Sequence, residues 1–425
     1  MDAVSARPDR PSEQYTVVEI CAGAGGQALG LERAGFDHSL AVELDENAAN
    51  TLWLNRDSWD VRVGDVASSD VWTPAEFEGV DLLAGGVPCP PFSIAGRQLG
   101  ASDERDLFAW AVEQVAVVKP RALMLENVRG LSQPRFAAYR QRILDRLGAL
   151  GYEPFWKLLQ ATDFGVPQLR PRFVLVALKP EDARYFSWPD PVQHTNTVGD
   201  ELYDLMAENG WKHADAWRAM ANDIAPTIVG GSKKHGGADL GPTRAKAAWL
   251  QLGVDGKGIA NESPARNAPH PTVKPPRLTI DMVRRIQGWR DEYGWKFSGR
   301  KTSQYRQIGN AFPPPVAEAV GHSIMAAFDQ IMLSAAEKAT AEDPLFSLLN
   351  RHRDGVSESD IYAELPDLTP TALARRLAKL ELDFEVQVSE MNGETMHKLG
   401  EFRGFVGQDG HFRHEYMSEH RSKVS

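Results

Sequence analysis

Apolar positions along the chain gather in short, β-branched runs, and each run is followed by a stretch with helical spacing. Thr16-Val17-Val18-Glu19-Ile20 precedes a predicted helix from Gln27, and residues 39–42 precede a helix from Glu46. A third strand ends at Gly64-Asp65-Val66, and residues 80–84 lead to a helix over 103–118. Residues 122–125 lead to a helix over 136–150, and residues 172–177 close the series. Strands alternating with helices predict an α/β domain over 15–180, with a mostly parallel sheet covered on both faces. Ligands of such sheets bind at the carboxyl ends of the strands.

The alternation stops at about residue 181. Over 181–275 the chain reads as glycine, tryptophan and basic loops, forming a separate, smaller unit. Its richest segment, Gly230-Gly231-Ser232-Lys233-Lys234-His235-Gly236-Gly237, is followed by Arg244 and Lys246. Glycine admits close backbone approach, and lysine and arginine neutralise phosphate or read guanine edges, although a flexible solvated loop has the same composition. Regular structure resumes over 278–289, and a long amphipathic helix follows Pro315 with Val316, Val320, Ile324, Phe328 and Ile331 on one stripe. These elements make 276–334 the remainder of the smaller unit and a helix that returns to the first domain.

Residues 335–343 read as a linker and 344–425 as a compact tail. The tail pattern is a helix near 345–351, a second from Ser357 with a capping arrangement to Asp360, a third from Thr369-Pro370 to Leu380, and a hairpin turning at Asn392-Gly393. That order looks like a winged helix, with Leu373, Leu377 and Leu380 inward and Arg375, Arg376 and Lys379 outward. A small oligomerisation or docking domain would have the same pattern. Residues 1–14 are polar and expected to be disordered.

The chain has 425 residues, two cysteines and a formal net charge of −11. So few cysteines exclude a disulfide framework, and no CxxC or close His/Cys cluster suggests a metal. A reducing cytoplasm is the expected compartment. No run approaches the ~20 apolar residues of a membrane span. The acidic balance argues against broad coating by nucleic acid and leaves room for a local basic groove.

Two features carry the chemistry. Pro88-Cys89-Pro90-Pro91-Phe92-Ser93 follows Gly85-Gly86 at a strand end, where prolines fix the direction of the Cys89 thiol. Near the first strand, Ile20-Cys21-Ala22-Gly23-Ala24-Gly25-Gly26 forms a glycine loop without the G-x-G-x-x-G spacing of a dinucleotide site. The next strands end in Glu43-Leu44, which offers an acid to a ribose diol, and in Asp65-Val66, which offers one to an adenine amino group. A nucleoside cofactor without a pyrophosphate fits best, so S-adenosylmethionine is favoured over NAD.

In this order the motifs resemble the DNA cytosine-5 methyltransferases, of the prokaryotic restriction-modification type. The resemblance covers roughly 15–180 and 275–330. It rests on the glycine loop, Glu43, Asp65, the 85–93 turn, Glu126-Asn127-Val128, Gln168-Leu169-Arg170-Pro171-Arg172, Arg277-Leu278-Thr279, Arg285-Ile286-Gln287-Gly288 and Gln307-Ile308-Gly309-Asn310. It implies a Rossmann-like mixed sheet that binds S-adenosylmethionine, with 181–275 as target-recognition domain. Cys89 would be the nucleophile that adds to carbon 6 of a flipped-out cytosine. Glu126 would share a proton with ring nitrogen 3, Arg172 and Arg170 would hold the ring oxygen or a phosphate, and Asn127 would fix the loop.

The cofactor contacts implied are Ile20, Cys21, Ala22, Gly23, Gly25, Gly26, Glu43, Leu44, Asp65, Val66, Gly86, Pro88, Asn310 and Phe312. The DNA contacts implied are Ser93, Gln168, Ser232, Lys233, Lys234, His235, Arg244 and Lys246. The expected partners are duplex DNA and a cognate restriction endonuclease, with the chain itself a monomer. Cys21 stands where the family commonly has Phe, and Pro90 where it often has Gln. The rival readings are a tRNA cytosine methyltransferase on the same fold and a catalytically silent DNA-binding regulator.

Overall fold

In a computed structural model of the chain, residues 14–88, 107–133, 136–230, 238–332, 343–366, 368–381, 384–391 and 393–402 are described. The strands of the first domain are β1 (Thr16–Ile20), β2 (Asp37–Glu43), β3 (Val61–Val63), β4 (Leu82–Gly85), β5 (Ala122–Val128), β6 (Glu153–Gln160), a short β7 (Gln168–Leu169) and β8 (Pro171–Leu178). Seven of them form one sheet in the order β3-β2-β1-β4-β5-β8-β6, and β7 lies outside it. The pairs joining β3 through β5 are parallel, whereas β8 runs antiparallel to both β5 and β6. The chain leaves β1 toward β2 on one side and returns to β4 on the other. A crevice therefore opens above the ends of β1 and β4, the ligand site expected of such a sheet.

Side chains alternate across the sheet. Val18, Ile20, Leu83, Leu123 and Leu125 face one core cluster, and Val17, Leu82, Ala84, Ala122 and Met124 face another. The first cluster is completed by α3 (Leu107–Val118) and α4 (Ala137–Ala149). The second is completed by α1 (Gly26–Ala34) and the helix that follows Pro313. The edge strand β6 escapes the sequence pattern, because Pro154 and Lys157 interrupt its apolar run.

Where 181–275 reads as loops, helices form: α5 (Pro180–Ala183), α6 (Val198–Ala207), α7 (Ala214–Met220) and α8 (Thr243–Gln251). The tryptophans Trp217 and Trp249 belong to a core, since both are fully buried. That core continues into Ala22, Leu29 and Leu52 of the first domain, so the hydrophobic interior does not stop at residue 181. A short strand β9 (Ala225–Pro226) pairs in parallel with β7 and joins the two regions.

The chain returns through α9 (Ile280–Ile286), α10 (Lys301–Asn310) and α11 (Pro314–Phe328). Helix α11 lies so close to α1 that a Cβ on Gly30 would come within 2.5 Å of the Pro314 carbonyl oxygen, and one on Gly321 within 2.7 Å of the Ala34 Cβ. Val316, Val320, Ile324 and Phe328 are buried, but Ile331 lies past the helix end and is 53% exposed, so it leaves the expected stripe.

The tail holds α12 (Pro344–Arg351), β10 (Val356–Ser357), α13 (Glu358–Glu364), α14 (Pro370–Leu380), β11 (Phe384–Met391) and β12 (Glu394–Phe402). The strand order is β10-β12-β11. Leu373, Leu377 and Leu380 are buried, whereas only the backbone is described for Arg375 and Lys379. No helix among the described residues is long and apolar enough to cross a membrane.

Candidate active site and cofactor cradle

The cradle begins where β1 ends. Cys21 has φ 52, an uncommon left-handed value for a side chain with a Cβ, and Gly23 and Gly25 follow at 58 and 87. These turns fold the loop back so that the Gly23 N–H donates to Glu43 Oε2 at 2.7 Å, while the Asp45 N–H donates to Glu43 Oε1 at 2.8 Å. Burial pushes the Glu43 carboxyl above its ordinary value, against the pull of the Asp45 and Gly23 N–H groups. Each oxygen retains acceptor capacity for a ribose hydroxyl.

Asp65, half-buried at the end of β3, accepts from the Ala67 N–H at 2.9 Å. Leu44 is 50% exposed beside Glu43 and offers an apolar surface to a base. Among the described residues, a Cβ on Gly23 would meet nothing within 4 Å, and one on Gly86 would meet only Glu126 Oε2 at 3.6 Å and the Cys21 carbonyl at 3.7 Å. The loop therefore has open space above it, one acid for a diol, another for an amino group, and bare backbone toward the reacting side. This donor set fits S-adenosylmethionine.

Ile20, Ala22 and Val66 are buried in the core, so they present backbone to the cradle and not side chains. Phe312 has the same character: the residue is 4% exposed, and its carbonyl oxygen would stand 2.3 Å from a Cβ on Gly26. Trp295 was not foreseen. Its Nε1 donates to the Ala24 carbonyl at 3.0 Å, and its ring occupies the space where a Cβ on Gly25 would be.

Glu126 and Arg172 come together through strand register. Glu126 pairs with Val174 and Val128 with Arg172 across the antiparallel β5–β8 ladder, which makes Glu126 and Arg172 diagonal neighbours on one face. Arg172 Nε donates to Glu126 Oε1 at 2.8 Å. Burial raises the Glu126 carboxyl above its ordinary value, outweighing the opposing charges of Arg172 and Arg170. Asn127 Nδ2 donates to the Val87 carbonyl at 2.8 Å, and Asn127 Oδ1 accepts from the Val128 N–H. The exposed Pro88 ends this described stretch. Cys89 and Ser93 lie outside the described residues, as do Ser232, Lys233, Lys234 and His235.

Two residues of the Gln168–Arg172 run occupy places unlike those expected. Gln168 is fully buried, with Nε2 donating to Gln287 Oε1 at 2.7 Å and Oε1 accepting from the Ile228 N–H at 2.8 Å. It is not available to DNA. Arg170 is 1% exposed and donates to the carbonyls of Ile228 at 2.7 Å, Gly309 at 2.7 Å and Ala311 at 3.0 Å. Its guanidinium is committed to backbone and does not reach for a ring. Lys246 pairs with Asp239 at 2.7 Å, while Arg244 and Asn310 are exposed.

A mixed sheet of this order with a nucleoside cradle at β1 and β4 defines a methyltransferase-like fold. A methyltransferase of Entamoeba histolytica, EhMeth, shares it with a TM-score of 0.50 over 75% of this chain and 99% of that one, at 14% identity. The family model for C-5 cytosine-specific DNA methylases matches residues 15–326, and the chain belongs to that family. It is 59% identical over 417 residues to the Type II methyltransferase M.NaeI of Lentzea aerocolonigenes, covering 97% of this chain and 100% of that protein. It is 50% identical to M.NgoMIV of Neisseria gonorrhoeae, where the match spans 74% of this chain and 98% of the relative. The chain is a DNA cytosine-5 methyltransferase that uses S-adenosylmethionine.

Proposed function

We propose that the chain methylates carbon 5 of a cytosine flipped out of one particular duplex sequence, with Cys89 as nucleophile. Carbon 5 is too weak a nucleophile by itself. The Cys89 thiolate forms a bond to carbon 6, and the displaced electron pair moves through carbon 5 toward nitrogen 3, where Glu126 shares its proton. A carboxyl already raised by burial suits that donation. Arg172 holds Glu126 through Nε and has further N–H groups for the ring oxygen. Bound S-adenosylmethionine supplies an electrophilic methyl group. Once carbon 5 has taken the methyl, a base removes its proton, the ring double bond re-forms and the thiolate leaves.

The Glu126–Arg172 contact at 2.8 Å, one residue from the Asn127 tether to Val87 in the turn that leads to Cys89, is the observation that carries this reading. Residues 181–275 serve as the DNA-contacting region, with exposed Arg244 as one contact, and flipping costs a few kcal/mol that pocket contacts offset. The tail is winged-helix-like, which its three helices and β10-β12-β11 order support. The chain acts as a cytoplasmic monomer beside a cognate restriction endonuclease. Bisulfite sequencing of DNA from cells expressing the wild type and Cys89→Ala tests the assignment: the wild type marks cytosines in one sequence context and the variant marks none. Methylation by the variant overturns the role of Cys89.

A further inference from the structure

Between the cofactor cradle and the recognition region lies a junction with no slack. A Cβ on Gly26 would come within 2.3 Å of the Phe312 carbonyl oxygen and 3.0 Å of the Ala311 Cβ, so the cradle presses on the chain after α10. On the opposite side, a Cβ on Gly309 would fall 2.5 Å from Gly230 Cα, and one on Gly230 would fall 2.3 Å from Asn310 Oδ1. The two glycines meet backbone to backbone. Arg170 sits at the centre and donates to Ile228 on the recognition side and to Gly309 and Ala311 on the cradle side. Gln287 Nε2 also donates to Ala311, at 2.8 Å, and Gln168 ties Gln287 to Ile228.

We propose that Arg170, with Gln287 and the Gly230–Gly309 contact, is a positioning device that couples the two sites, so that filling the cofactor cradle tightens DNA binding and DNA tightens the cradle. Close-packed contacts shared by two sites are the physical means of such coupling, and linkage makes it reciprocal. Arg170 does this because its planar fork spans acceptors on both sides at once, which a lysine ammonium cannot. The inference rests on residues 181–275 being the DNA-contacting region.

The test measures the affinity of the full chain for S-adenosylhomocysteine, the demethylated cofactor, with and without a saturating substrate duplex. The wild type should gain at least about fivefold on adding DNA, the lower end of ordinary coupling. In Arg170→Lys and in Gly230→Ala the gain should fall below about twofold. Gly230→Ala keeps the proposal falsifiable if Arg170→Lys fails to fold, as a melting curve would reveal. A variant that retains the full gain overturns the coupling, as does a wild type that binds the duplex with no gain. A loss of turnover in Arg170→Lys at saturation, with the gain intact, would instead place Arg170 on the reacting ring. Failure of the reading of residues 181–275 looks different: charge removal at the exposed Arg244, as Arg244→Ala, would leave the affinity for duplex at the wild-type level.

Discussion

Arg170 and Arg172 stand two residues apart, yet they occupy contrasting regions of the molecule. Arg172 faces a carboxylate at the mouth of the crevice, whereas Arg170 faces main-chain carbonyls in a closed junction. Burial lowers both guanidinium groups below their ordinary value, and the charge of Glu126 opposes that lowering in each. What separates them is the partner. A guanidinium that holds one acid and a single carbonyl, that of the adjacent Pro171, has donors left for an arriving substrate, whereas one divided among three carbonyls cannot redirect them without unmaking the fold. On the proposed mechanism the same residue type serves chemistry in one region and register in the other.

The strongest way to sharpen the contrast is Glu126→Gln. It removes the transferable proton and leaves the shape, and should cost on the order of 10²–10⁴-fold in kcat, read by single-turnover methyl transfer. Arg172→Lys should follow, at about 10²–10³-fold in kcat with KM for the cofactor little changed, as for loss of a donor aimed at developing charge. If Arg170→Lys instead showed that split and Arg172→Lys did not, the two regions would have to exchange roles. Asn127→Ala removes the tether to Val87 and should destabilise by about 1 kcal/mol in urea unfolding, with a smaller loss of turnover.

The smallest effect belongs to Glu19, which is fully buried against His38 at 3.1 Å. Burial raises its carboxyl, so the folded state holds that proton more tightly than the unfolded chain does. Its contribution to stability is therefore complete below the ordinary glutamate range and is lost as pH climbs through the raised value. Glu19→Gln should flatten that part of the pH–stability curve, measured as urea midpoints between acid and neutral pH. An unchanged slope would remove Glu19 from the account.

Much of the catalytic region could be read in the sequence because its determinants are local. The glycine loop, Glu43, Asp65 and Glu126 each come at or just past the end of a short apolar run, and parallel strands deliver such positions to one edge. The junction was illegible for the opposite reason. Gln168 and Arg170 are polar and follow a loop, which suggests exposure, but Gln168 accepts from the Ile228 N–H, and Arg170 donates to the carbonyls of Ile228, Gly309 and Ala311, all more than fifty residues away in sequence. Nothing near residue 170 announces those acceptors. Helices α6 to α8 were missed because their buried tryptophans and flanking glycines have loop-like composition, and only the shared core explains them. Trp295 was overlooked because its role depends on the space Gly25 leaves, a property of two residues far apart in the chain.

The back-to-back glycines also set a boundary for engineering. A chimera joined before Ile228 would replace the neighbours of Arg170, and any residue but glycine that it brought to position 230 would find no room against Gly309. A seam placed after Gly230 keeps the native junction whole and confines the exchange to what lies beyond it. On the proposed reading of 181–275 as the DNA-contacting region, specificity would then be transplantable as a module, provided that the host keeps its own hinge pin.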